Sequence, residues 1–214
     1  MARVGNPLLP AAFLFLAAVM PAGATPDPQA DCMGVYFDPG AETVCGTASP
    51  FSQLSIYVVL TGGSAPNLAA WEAGLLWEPV GDAQFFGSWT VPGCLDIAGT
   101  DQDGQFQVGC GTRPLVVPAM VLAVWDGVFL GSPGSGAVLT LSGLAGSTSF
   151  PDGYPGYFWM DEPSGLHPQS CRLPVAGPSL PCAMLNVPGC GQLIVADEGI
   201  GWGDVKTLYR ENRP

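Results

Sequence analysis

His167 is the single histidine of the chain, and Asp161 and Glu162 lie shortly before it. An imidazole beside two carboxylates is a minimal set for acid–base chemistry or for holding a transition metal. Gly165 and Pro168 place the histidine in loop-like sequence, however, and on a strand the adjacent Asp161 and Glu162 point to opposite faces. A serine triad would need this histidine, yet the chain has no Gly-x-Ser-x-Gly elbow. Asp96, Asp101 and Asp103 offer the clustered oxygens that calcium takes. Gly104 follows Asp103 directly, whereas a calcium loop of the EF-hand type needs glycine further along and a closing glutamate. An acidic surface turn is the plainer expectation. Glu72 and Glu78 would share one face of a strand at ~20 Å, beyond the ~5–9 Å that a glycosidase pair requires. Residues 131–136 form a Gly/Ser turn without the lysine of a phosphate loop. No enzyme activity, metal or cofactor is expected.

The cysteines carry a different chemistry. There are seven, so at least one has no partner within the chain. No pair shows the short spacing of a zinc or redox motif. Cys32 and Cys45 flank a predicted hairpin whose turn is Asp38-Pro39-Gly40, and Cys94 and Cys110 flank the acidic loop in the same way. Each pairing would close a loop of about 15 residues, for which chain entropy contributes ~3 kcal/mol. Cys171, Cys182 and Cys190 then supply one bridge and one spare. Cys171–Cys190 is the expected pairing, because Pro181 holds Cys182 back.

Aromatic rings are the remaining functional signal. The six tryptophans, with Tyr154 and Tyr157, exceed what one core demands, and exposed rings suit flat ligands or protein interfaces. Residues 152–157 read as a loop presenting Tyr154 and Tyr157. With Trp159, and with Asp161 at the rim, they form a candidate sugar-binding surface. Trp71 and Trp77 share a predicted strand face with alanine and leucine and belong to the core.

These side chains need elements to position them. Short runs of β-branched and aromatic residues recur at 35–37, 43–45, 54–60, 84–89, 105–110, 116–130, 137–141, 157–160 and 192–196, separated by Gly/Pro turns. Pro118 and Gly127 are expected to break or bulge the longest run. Residues 67–78 fit a strand through the alternation Ala69, Trp71, Ala73, Leu75, Trp77. Only residues 203–212 offer a helical turn. The pattern predicts an antiparallel β-sandwich, immunoglobulin-like in architecture, of 7 to 10 strands.

Arg3, an apolar run from 8 to 19 and Ala22-Gly23-Ala24 form a secretory leader with a small-residue cleavage site. Residues 1–24 are therefore expected to be the signal, 25–31 a loose arm and 32–214 one domain. Export to the cell envelope or beyond permits disulfides. A formal net charge of −12 repels phosphate backbones and anionic lipid, so nucleic acid is excluded as a partner. The leader's apolar run is too short for a bilayer span, and no membrane insertion is expected.

Residues 32–38 (Cys-Met-Gly-Val-Tyr-Phe-Asp), Trp71-Glu72 and residues 202–210 (Trp-Gly-Asp-Val-Lys-Thr-Leu-Tyr-Arg) resemble a group of uncharacterised exported bacterial proteins. A looser likeness, at the level of fold, is to cohesin-type sandwiches. The resemblance implies an exported β-sandwich and assigns no site residues. The functional expectation is a secreted, non-enzymatic structural or protein-interaction domain. A carbohydrate-binding module around residues 154–159 is the alternative.

Overall fold

A computed structural model of the protein describes residues 30–97, 104–116, 118–175 and 177–190. The expected leader, residues 25–29 of the arm, Asp101 and Asp103, the strand at 192–196, the helical turn at 203–212 and the Trp202–Arg210 motif lie outside them. The described residues form β1 (Cys32–Tyr36), β2 (Cys45–Gly46), β3 (Gln53–Thr61), β4 (Asn67–Val80), β5 (Gln84–Thr90) and β6 (Leu95–Asp96). These are followed by β7 (Gln105–Pro114), β8 (Ala119–Leu130), β9 (Gly136–Ser142), β10 (Gly156–Asp161), β11 (Gly165–Ser170) and β12 (Ala183–Leu185).

Two sheets face each other, as the Gly/Pro-punctuated strand pattern requires. One runs β1-β3-β8-β5, and the other runs β11-β10-β4-β9-β12-β2 with β7 and β6 added beside β4. The long ladders are antiparallel, while β12 and β2 pair in parallel. Alternation sorts the side chains between faces. Along β3, Ile56, Val58 and Leu60 lie opposite Trp125, Ala123 and Met120 of β8, and all six are buried in the inter-sheet core. Trp71, Ala73 and Leu75 of β4 enter the same core from the other sheet. Burying side chains of this size stabilises the fold by about 1.5–3 kcal/mol each.

The break expected near Pro118 and Gly127 is placed differently. Pro118 precedes β8, and Gly127 sits within it, paired with Gly87 of β5. The irregularity falls instead in the β3–β8 ladder, between Val58 and Val59. The glycine pair has a steric cause. A β-carbon at Gly127 would meet Cη2 of Trp125 at 2.4 Å and the Phe86 carbonyl oxygen at 2.5 Å. One at Gly87 would meet the Asp126 carbonyl oxygen at 2.4 Å. The Trp125 ring lies across both residues.

The cysteine pairings are corrected in part. Cys94 and Cys110 are bonded, as their flanking of one loop suggested. Cys45 is bonded to Cys190 and not to Cys32. The reason is the parallel β12–β2 pairing: Met184 N–H donates to Val44 O and Asn186 N–H to Gly46 O, which brings Cys190 to a Cα separation of 5.6 Å from Cys45. Cys32 lies in the other sheet, opposite Thr61 and beside Arg172. The Cys171–Cys190 pairing falls with it. Cys171 and Cys182 carry buried thiols, and burial pushes both up, Cys182 to about 12. The Cys182 thiol donates to the Leu139 carbonyl at 3.3 Å.

Candidate functional site

The β10–β11 hairpin carries the residues that the sequence singled out for chemistry. Its register sets Trp159 opposite His167 and Asp161 opposite Gly165, so Trp159, Asp161 and His167 share a face. His167 Nε2 lies 2.6 Å from Asp161 Oδ1, with both side chains about one-third to two-fifths exposed (35% and 42%). The imidazole stacks on Trp159 with centroids 4.3 Å apart and planes inclined by 23°. One face of Trp159 is therefore occupied by the histidine, while the ring also packs against the core. Glu162 does not join this group; it leads into the turn through Pro163. Among the described residues no set of three or more His, Cys, Asp or Glu side chains is grouped to hold a metal ion.

Tyr157 corrects the expected sugar-binding surface. It lies two residues before Trp159 on the same face of β10, deeper in the sandwich, and is fully buried at 0% exposure. A ring without accessible area cannot stack on a sugar. Its phenol donates instead to Asp31 Oδ1 at 2.5 Å. Ser64 completes the arrangement, its N–H donating to Oδ1 at 2.9 Å and its hydroxyl to Oδ2 at 2.6 Å. Burial, followed by the hydrogen bond and charge of Asp31, raises the Tyr157 phenol above its ordinary value. Asp31 was expected at the end of a loose arm; it is 7% exposed, with φ of 56°. Nothing local in the sequence connects Asp31 with a tyrosine 126 residues away. Tyr154 is half-buried against the core, so the four candidates Tyr154, Tyr157, Trp159 and Asp161 do not form one open platform.

The other acids are tied to hydroxyls in separate places. Glu72, buried in the middle of β4, accepts from Ser147. Asp126 accepts from Ser55 at 2.5 Å. Asp82 accepts from Ser135 and, at 2.9 and 2.8 Å, from the Ser132 N–H and hydroxyl. The Ser135 bond first, and then those of Ser132, lower the Asp82 carboxyl to about 2. Glu78 lies exposed near the end of β4, well separated from Glu72 by the strand length. Asp96 lies in β6, next to the Cys94–Cys110 bond.

The sequence reading missed the outer face of the four-stranded sheet. The register aligns Gln53, Val128 and Phe86 in one row, Ser55, Asp126 and Ser88 in the next, and Tyr36, Tyr57, Val124 and Thr90 in a third. Tyr36, Ala41 and Val59 form a small buried cluster at one end of this face. At the other end Phe86 is 59% exposed and Phe51, at the corner before β3, is 81% exposed. Strand alternation around Phe86 was the available signal, because Phe85 and Trp89 point inward on the same strand.

Neither a family model nor a curated protein matches the chain. Among solved structures it is similar to the sixth cohesin of scaffoldin B from Acetivibrio cellulolyticus, determined in complex with a dockerin. That likeness has 14% identity and a TM-score of 0.43, covering 74% of this chain and 99% of that one. It is also similar to the cohesin module of a family 33 glycoside hydrolase from Clostridium perfringens, with 12% identity, a TM-score of 0.27 and coverage of 67% and 97%. Both are cohesin modules, the group with which the sequence shares a loose likeness. The all-β sandwich itself rests on the two sheets and their registers. No helix among the described residues is long and apolar enough to cross a membrane.

Proposed function

We propose that the protein is a secreted, non-enzymatic interaction domain that holds a protein partner on the outer face of its four-stranded sheet. The observation that carries this reading is the outer sheet face bearing Tyr57, Val124, Val128 and Phe86, with the exposed Phe51 at the corner before β3. Aromatic and aliphatic groups on such a face lose little side-chain entropy on docking, and central aromatics dominate interface energetics. The Ser55–Asp126 pair in the middle of that face supplies a polar contact for register. The separate engagement of Glu72, Asp82, Asp126 and Asp161 supports the non-enzymatic part, because catalysis by carboxylates needs at least two that converge. The expected leader and the two disulfides among the described residues support export.

The test is capture of a partner from the native extracellular milieu, followed by direct affinity measurement with the repurified partner. Phe51→Ser with Phe86→Ser is expected to weaken binding by about tenfold or more while leaving the circular dichroism unchanged. Equal affinity of the double variant would move the interface elsewhere. Hydrolysis of a glycan, ester or peptide by the pure protein, lost on replacing one of its carboxylates, would reject the reading altogether.

A further inference from the structure

The strand β5 ends the four-stranded sheet and pairs only with β8. Which of its backbone groups stay open follows from β8. The Phe51 N–H donates to the Phe129 carbonyl at 2.8 Å, and the Phe129 N–H donates to Ser52 O at 3.1 Å. The peptide groups of Phe129 therefore face the β3 side, and alternation turns those of Leu130, Val128, Asp126 and Val124 toward β5. In keeping with this, the Val124 carbonyl accepts from the Thr90 hydroxyl at 3.4 Å. These four residues stand opposite Gln84, Phe86, Ser88 and Thr90, whose N–H and C=O groups are used inside the sheet. The groups of Phe85 and Gly87 point outward, and no described residue bonds them. Gly87 is exposed and Phe85 half-buried, whereas Trp89, which points the same way, is buried.

We propose that β5 pairs with β5 of a second copy of this chain, antiparallel about a two-fold axis through Phe86, so that the two four-stranded sheets run on into one another. In that register Phe85 and Gly87 of one copy stand opposite Gly87 and Phe85 of the other, and each pair exchanges both N–H···O=C bonds. Phe86 falls in the closer, non-hydrogen-bonded pair and meets its own counterpart. The ring is 59% exposed in the single chain, and directly opposed aromatics are a favourable cross-strand match. Gln84 and Ser88 stand opposite each other on either side, both uncharged and able to hydrogen-bond. The occupant is a second copy because the strand matches itself about Phe86 and carries no guard against doing so. Open edges are ordinarily blocked by charge, proline or a bulge. Residues Gln84–Thr90 hold no charge and no proline, and their ladder to β8 runs without a register shift. Elsewhere the chain uses these devices: β4 carries Glu78 and Pro79 beyond Gly74, where its β7 ladder ends, and the edge strand β11 carries Pro168. The net charge of −12 opposes two copies at long range, but physiological salt confines that repulsion to ~8 Å.

Sedimentation equilibrium of the protein alone, at physiological salt, tests this separately from any capture of a partner. The mass is expected to rise from monomer at about 1 μM toward dimer at about 1 mM, the weak association that an edge contact of this size gives. Amide exchange followed by NMR is expected to slow about tenfold or more at Phe85 and Gly87 over that range, with Phe86 and Ser88 unchanged. Phe86→Lys is expected to stay monomeric at about 1 mM, because it sets like charges directly opposite across the axis. Mixing it with Phe86→Glu is expected to restore a dimer. A wild type that stays monomeric at about 1 mM, association that leaves exchange at Phe85 and Gly87 unaltered, a Phe86→Lys variant that still dimerises, or mixed variants that stay apart would each overturn the proposal. Should either variant not fold, the wild-type mass and exchange decide.

Discussion

Removing the Cys45–Cys190 bond is expected to destabilise the protein more than removing Cys94–Cys110, and the difference follows from the structure alone. The two bonds span 145 and 16 residues. In the chain-entropy description a cross-link restricts the unfolded ensemble in proportion to the logarithm of its loop, giving ~5 kcal/mol for the long loop and ~3 kcal/mol for the short one. Cys45→Ala with Cys190→Ala should therefore cost about 2 kcal/mol more than Cys94→Ala with Cys110→Ala. The long bond also clamps β12 to β2, a parallel ladder of only two residue pairs, Met184–Cys45 and Leu185–Gly46. Urea unfolding without reductant measures both double variants, with fluorescence and circular dichroism as independent probes of two-state behaviour. The single variants sharpen the test. If the bond is Cys45–Cys190, adding Cys190→Ala to Cys45→Ala changes little, because the cross-link is already gone. Additive losses from the two single changes, or a larger cost for the Cys94–Cys110 pair, would refute the reasoning and restore a partner such as Cys32 to Cys45.

Tyr157→Phe is expected to cost about 1.5–3 kcal/mol, the usual worth of a hydrogen bond to a charged group, measured by the same unfolding assay; a loss under half a kcal/mol would show that Asp31 and Ser64 are satisfied without the phenol. Asp82 should titrate with a midpoint of about 2, compared with 3.8 for an ordinary aspartate. Because its folded value is depressed, the stabilisation is present above pH ~4 and is lost as the pH falls through the folded value near 2. Carboxyl-carbon NMR follows the group, and Ser135→Ala should move the midpoint upward; a wild-type midpoint near 4 would contradict the Ser132–Ser135 arrangement.

Much of the fold is legible in the chain because side-chain alternation is a local property. Trp71, Ala73 and Leu75 alternate at the period of a strand, and one face of β4 enters the core accordingly. Gly and Pro mark turns, as at Asp38, whose carboxylate accepts from the N–H groups of Gly40 and Thr43. Cys94 and Cys110 meet because the loop they flank returns on itself through the β6–β7 pairing. Gly165 and Pro168 mark His167 as a loop residue, whereas all three lie in β11, and the hairpin pairing with β10 brings His167 onto Asp161.

What sequence could not decide is which distant strands become neighbours. Cys45 takes Cys190 because β12 chooses β2 as a parallel neighbour, and no spacing in the chain encodes that choice. Tyr157 has the composition of a surface ring but the position of a core one, since its place on β10 opposite Trp71 of β4 turns it inward onto Asp31. Trp159, on the same face, is half-buried and covered by an imidazole. Alternation fixes which residues share a face; only the packing of the two sheets determines which face, and how far along it, water is excluded.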